Sequence, residues 1–288
     1  MPVWLPAIVA LAAAAGVYCV LYGAARTRDV MDQAALSGLR TRRLDQTPHC
    51  GFERFYKDNK KGPGIWKWHH YFHAYEREFG RHCGLGGSPV KMIEIGVFSG
   101  GSMRMWRHCF GHNLELLVGI DIKNATKSWE AFGDEPGSRP KNVHVEIGSQ
   151  ADAAVFSRIA TKYPGGFDVI SDDGSHVVEH MVASFKLAFG LLRPGGVYLI
   201  EDVTKENVHA VKELLLGGYR YEDTRADLFH ALYHNPGAPC CAFTPNAVQR
   251  DIEYVTEYPM MLAVRKRAVP LAILEAAGMG TQWVPISQ

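Results

Sequence analysis

Phe167-Asp168-Val169-Ile170-Ser171-Asp172-Asp173-Gly174-Ser175-His176 reads as an apolar strand that ends in two acids, a glycine and a histidine. Ile200-Glu201-Asp202 follows about one strand–helix–strand unit later and ends in a second acidic pair. Buried strands read as near-continuous apolar runs, so the acids mark the tips of two neighbouring strands. Adjacent carboxylates repel one another, and such a group suits a divalent cation held by oxygens. His176 beside them is a candidate general base. Asp172 has a second reading as a cap of the helix that follows.

Outward from this stretch the chain alternates between two periods. Val90–Val97, Leu114–Ile122, Val143–Ile147, Phe167–Ser171 and Gly196–Ile200 are strand-like apolar runs. Between them lie helical patterns up to about Phe110, over Ala151–Tyr163 and over Val178–Leu192, with Asn207–Leu216 after the fifth strand. Alternation of this kind predicts an α/β fold, a doubly wound, mostly parallel sheet covered on both faces. Ile252–Val255 and Met261–Arg265, around Tyr258-Pro259, predict a closing antiparallel pair. Upstream, the aromatics of Trp66–Phe79 recur near helical spacing and predict a helix packed on the domain.

The 288 residues are ample for one such domain plus an appendage. Lys+Arg is 31 and Asp+Glu 30, so no basic field points to nucleic acid. The six cysteines show no paired metal spacing and read as reduced, structural or incidental. The N-terminus departs from an ordinary soluble profile. Val3–Ala25 is 23 residues without a charge, about 34 Å as a helix and enough to cross a bilayer core. It reads as a single-pass transmembrane anchor, with a cleaved signal peptide or a buried helix as competing readings. Arg26, Arg28, Arg40, Arg42 and Arg43 follow it and favour a cytoplasmic placement of the rest. The expected organisation is an anchor over 1–25, a linker over 26–64 with a short helix around Val30–Leu39, a domain over 65–268 and a tail over 269–288.

Three strand ends upstream of the acids form a second constellation. The first is Glu94-Ile95-Gly96-Val97-Phe98-Ser99-Gly100-Gly101-Ser102, whose glycines let the backbone approach a ligand. It departs from Gly-x-Gly-x-x-Gly, which weakens a pyrophosphate reading. The second strand ends in Asp121, placed to accept both hydroxyls of a ribose. The third ends in Glu146-Ile147-Gly148-Ser149-Gln150-Ala151-Asp152, where a base edge would lie.

With the Leu192-Arg193-Pro194-Gly195-Gly196-Val197-Tyr198 turn, this order resembles the class I S-adenosylmethionine-dependent methyltransferases, with their Rossmann-like sheet. Met103-Arg104-Met105-Trp106, Gly148–Asp152, Asp172–His176 and Ile200–Asp202 sharpen the resemblance. They are similar to the metal-dependent sugar O-methyltransferases of macrolide biosynthesis, the mycinamicin-type enzymes, and to cephalosporin-hydroxylase-like and rhamnosyl O-methyltransferase sequences. The similarity covers roughly 66–267.

The resemblance implies S-adenosyl-L-methionine as methyl donor and Mg2+ as metal. It implies Asp173, Glu201 and Asp202 as metal ligands and His176 as the base. Glu94, Gly96, Ser102, Asp121, Ser149, Gln150 and Asp172 fall to the donor site. Relatives commonly carry Asp where Ser149 stands, which leaves that contact without a charge. Ser171 replaces an apolar residue at the end of the fourth strand. The implied reaction is methylation of a sugar or related hydroxyl by a membrane-anchored, cytoplasmic enzyme; the acceptor itself and homo-oligomer formation are left open. The rival readings are a nicotinamide-dependent oxidoreductase and a non-catalytic nucleoside-binding scaffold. His69-His70-Tyr71 is a further candidate cover for the pocket, and His230 and His234 around Tyr233 for an acceptor segment.

Overall fold

The β-branched and aliphatic runs form a seven-stranded sheet. In the computed structural model, residues 49–124, 140–216, 239–243, 250–272 and 274–277 are described. The strands are β1 (Val90–Ile95), β2 (Leu114–Asp121), β3 (Val143–Ile147), β4 (Phe167–Asp172), β5 (Leu192–Glu201), β6 (Pro239–Phe243), β7 (Ile252–Tyr258), β8 (Met261–Lys266) and β9 (Leu274–Ala277). The main sheet has the order β3-β2-β1-β4-β5-β8-β7. Strands β1 to β5 pair in parallel, and β8 is antiparallel to both β5 and β7. The predicted α/β sheet with its closing antiparallel pair is therefore present. β6 and β9 form a separate antiparallel pair, so Leu274–Ala277 is a paired strand within the expected tail.

Alternation along each strand sends successive side chains to opposite faces. Met92, Leu117, Val169, Val197 and Leu199 pack on one face. Ile93, Ile95, Val118, Ile170, Tyr198 and Ile200 pack on the other. The first face is covered by α1 (Phe52–Asp58), α2 (Tyr71–Phe79) and α3 (Gly101–Phe110). The second is covered by α4 (Ala153–Lys162), α5 (Val178–Ala188) and α6 (Val208–Leu216).

The first layer decides what reaches the site. Trp106 of α3 meets Phe52 edge-on at 5.3 Å and Tyr75 at 5.0 Å. Tyr75 stacks on Phe79 at 5.8 Å. These rings bury large areas and add geometric preference, and they fix α2 with its N-terminus toward the ends of β4 and β5. Glu76 of α2 accepts the backbone N–H groups of Cys50, Gly51 and Phe52 at 2.7, 2.9 and 3.2 Å. The Gly51 and Phe52 groups are orphan donors at the start of α1, satisfied by a carboxylate from another helix.

Three expectations change here. The segment from His49 is not linker: α1 buries Phe52 completely and belongs to the same unit as the sheet. Helix α2 begins at Tyr71, and residues 66–70 form a strap without regular structure apart from a turn at its end. Cys50 and Cys83 are joined in a disulfide with Cα atoms 5.2 Å apart, against the reading of all six cysteines as reduced. Their sequence separation of 33 hid the pairing, which arises because α1 and the end of α2 pack together. The anchor reading of Val3–Ala25, the helix at Val30–Leu39, and His230, Tyr233 and His234 lie outside the described residues. Among the described residues no helix is long and apolar enough to cross a membrane.

Candidate functional site

The sheet changes direction between β1 and β4, and ligands of open α/β sheets sit outside the carboxyl ends of the strands at that point. The chain there bends tightly. Gly96 has φ 93, and a Cβ on it would run into the Asp173 carbonyl. Phe98, His176 and Asp202 also hold left-handed backbones, with φ of 47, 58 and 56. Strained non-glycine residues persist where the surroundings over-determine them, and they gather at functional sites.

Two cavities open at these strand ends. The smaller, about 180 Å³, is lined by Gly96, Phe98, Asp121, Gln150, Gly174 and Ser175 among others. Asp121 Oδ2 accepts the N–H groups of Val97 and Phe98 at 3.1 and 2.9 Å, and its Oδ1 accepts that of Lys123 at 2.8 Å. Gln150 Oε1 accepts the Ser175 N–H at 2.7 Å. The larger cavity, about 380 Å³, is lined by Trp66, Lys67, Trp68, Tyr71, His176, Glu201 and Asp202. Phe98, Asp173 and Gly174 line both.

The acids divide by what they touch. Asp172 turns inward, where it accepts hydrogen bonds from Gln150 Nε2 at 3.1 Å, Tyr198 Oη at 3.0 Å and Ser184 Oγ. Burial pushes its carboxyl up to about 6. It lines neither cavity, and α5 has Val177 as its N-cap with no side-chain cap bond. The structure places Asp172, at the end of β4, in an interior junction with Gln150, α5 and β5. Glu94 is also fully buried and lines neither cavity; it accepts from Trp106 Nε1 at 2.9 Å, and burial pushes its carboxyl up to about 7. Ser102 is buried in α3 and likewise lines neither cavity. The Ser149 hydroxyl closes a local turn by accepting the Ala151 N–H at 3.1 Å.

Asp173, His176 and Asp202 each offer one ligand atom, all within 4.8 Å of one another. His176 Nε2 lies 3.9 Å from Asp173 Oδ1 and 3.5 Å from Asp202 Oδ2. Oxygen-rich donors of this kind fit a hard divalent cation. Glu201 stands apart from that group. Its Oε1 accepts from Ser171 Oγ at 2.9 Å, and its Oε2 lies 2.7 Å from Lys67 Nζ, which also reaches Asp173 Oδ2 at 2.6 Å. Burial alone would push the Lys67 ammonium toward neutrality, but Asp173, Glu201 and Glu94 together outweigh it and hold the proton on. Asp173 is raised first by burial and then by the neighbouring Asp202 and Asp172, and Glu201 first by burial and then by Asp173, with Lys67 opposing the rise in both.

Sequence reasoning missed Lys67. The reading of Trp66–Phe79 rested on its aromatics and gave Lys67 no role. Tyr71, expected with His69 and His70 as a cover for the pocket, lines the larger cavity; its Oη donates to Asp202 Oδ1 at 2.7 Å and accepts the Asp202 N–H at 3.0 Å. The Ser171 departure was visible, and it serves to satisfy the buried Glu201. His69 is largely exposed near Glu53, and His70 meets the Pro259 carbonyl at 3.0 Å; neither lines the cavities.

Residues 93–203 match the family model described as a methyltransferase domain. This stretch is thus similar to a methyltransferase domain. It carries both acidic pairs, His176, Gly96, Asp121 and Gln150, whereas Lys67 and Tyr71 lie upstream of it. The chain is 33% identical over 147 residues to demethylmacrocin O-methyltransferase of Streptomyces fradiae, covering 48% of this chain and 33% of that one. It is 29% identical over 222 residues to 8-demethyl-8-alpha-L-rhamnosyl tetracenomycin-C 2'-O-methyltransferase of Streptomyces olivaceus, covering 73% and 53%. The chain thus spans between a third and about half of the length of these relatives. Among solved structures, the MycE methyltransferase of the mycinamycin pathway, in complex with Mg, SAH and mycinamycin VI, is 25% identical. That match covers 77% of this chain and 55% of MycE with a TM-score of 0.49.

Proposed function

We propose that the methyltransferase domain transfers a methyl group from S-adenosyl-L-methionine to a hydroxyl of a sugar or glycoside, with Mg2+ as metal and His176 as general base. The observation that carries this reading is the shared wall of the two cavities, Phe98, Asp173 and Gly174. A nucleoside against Asp121 and Gln150 and an acceptor among Trp66, Trp68 and Tyr71 would meet there. The names of the relatives, which methylate sugar hydroxyls of macrolides and tetracenomycins, support the acceptor class.

The chain's own residues supply alignment, which is the main need of a methyl transfer between two bound partners. Asp121 and Gln150 orient the donor's nucleoside. Asp173 and Asp202 would hold the metal, which when bound would lower the pKa of the acceptor hydroxyl and fix its orientation. His176 Nε2 sits between their free oxygens and takes the hydroxyl proton. Attachment to a membrane through Val3–Ala25 remains part of the proposal. The Cys50–Cys83 bond then favours the oxidising side of that membrane over the cytoplasm.

Calorimetry with S-adenosyl-L-methionine and with NAD, followed by transfer of labelled methyl to rhamnosyl and macrolide glycosides, tests the reading. Donor binding without NAD binding is expected. His176→Ala should keep donor affinity and lose roughly a hundredfold or more in transfer rate. NAD binding without donor binding would overturn the reading.

A further inference from the structure

Lys67 reaches the acids from a strap that precedes the matched domain by more than one element. Its side chain is 2% exposed and lies between Asp173 and Glu201. A buried ammonium needs partners of opposite charge, and this one has two at ion-pair distance. Both oxygens of Glu201 are thereby engaged, one by Lys67 and one by Ser171. Asp173 is engaged through Oδ2 alone. Asp202 is engaged through Oδ1, which accepts from Tyr71 Oη and from Trp68 Nε1. The oxygens left over, Asp173 Oδ1 and Asp202 Oδ2, face the same imidazole nitrogen.

We propose that Lys67 is a resident cation of this site: it stands where a divalent ion would bridge Asp173 and Glu201, keeps Glu201 out of the ion's ligand shell, and limits the affinity of the ion held by Asp173 and Asp202. The inference rests on the methyl-transfer reading for the purpose of that ion. Three carboxylates and one ammonium leave a formal charge of −2, which one divalent cation neutralises. Without Lys67 the cluster would be more negative and would attract the ion more strongly. Lys67 is a positioning residue here. It sets which carboxylates are free, and it ties the strap that lines the larger cavity to the ion that the cavity would present to an acceptor.

Calorimetric titration of Mg2+ into the full chain, Lys67→Met, Lys67→Arg and the double variant Lys67→Met/Glu201→Gln tests this without any turnover. Lys67→Met is expected to bind Mg2+ about tenfold more tightly or better, and Lys67→Arg to match the unaltered chain. The double variant has the same formal charge as the unaltered chain and should bind Mg2+ within about threefold of it. If Glu201 is a ligand, the double variant loses binding instead, and the proposal falls. It also falls if Lys67→Met binds no more tightly. Lys67→Met leaves buried acids unpaired and is the variant most at risk of misfolding. The double variant removes the pair as a unit, which proteins tolerate better, and decides the matter alone in that case. Mg2+ binding to none of these chains overturns the proposal, while retained binding of S-adenosyl-L-methionine leaves the methyl-transfer reading standing.

Discussion

Asp121 accepts three backbone N–H groups, from Val97, Phe98 and Lys123. One carboxylate therefore shapes the glycine-rich loop and also faces the smaller cavity. Asp121→Ala should weaken S-adenosyl-L-methionine binding by roughly tenfold or more, since charge-assisted bonds are the strong ones. Asp121→Asn should lose less, because it still accepts through its carbonyl; calorimetry on both variants checks the order. Gly96 offers the opposite test, of backbone alone. Its φ of 93 and its approach to the Asp173 carbonyl leave no room for a Cβ. Gly96→Ala should cost roughly 1–3 kcal/mol of stability, read by urea unfolding, and should displace Asp173.

At the scale of elements, β3 and α4 are tied by Glu146. Arg158 Nε, Lys162 Nζ and Tyr163 Oη donate to it at 3.2, 2.8 and 2.9 Å. Burial raises the Glu146 carboxyl, and the three donors together outweigh burial and hold it below its ordinary value. A depressed carboxyl stabilises the fold above the unfolded-state pKa of 4.5 and loses that contribution as pH falls through the folded value. Glu146→Gln should thus be less stable than the unaltered chain by about 1 kcal/mol at pH 7. The two should converge well below pH 4.5; urea unfolding at both pH values checks this. A difference that stays constant with pH would mean that packing, and not charge, joins β3 to α4.

At the scale of the molecule, the disulfide closes a loop of 33 residues around α1, the strap and α2. Closure of a loop of that length stabilises by roughly 3–4 kcal/mol in the chain-entropy account. Cys50→Ser/Cys83→Ser should unfold at lower urea by about that much. It should also loosen the strap, so that Mg2+ and donor binding change together with stability. Peptide mapping under non-reducing conditions should recover the Cys50–Cys83 pair, while Cys109 stays buried and unpaired.

The order of elements, the parallel core and the polar strand ends were legible in the sequence because they follow from local periodicity. A strand buried on both faces must be apolar along its length, and acids at its tip must therefore stand out. The pairing of Asp172-Asp173 with Glu201-Asp202 followed from strand adjacency. What each acid does was not legible. Asp172 and Asp173 differ by one position, and the pleat sends one into the interior and the other toward both cavities. Lys67 and the Cys50–Cys83 pair were invisible because their partners lie 106 and 33 residues away. The sequence by itself determined the sheet and the strand ends that carry the chemistry. Only the tertiary structure, through the aromatic layer of Phe52, Tyr75, Phe79 and Trp106 that docks α2 on the sheet, decided which carboxylates of that site already hold a cation.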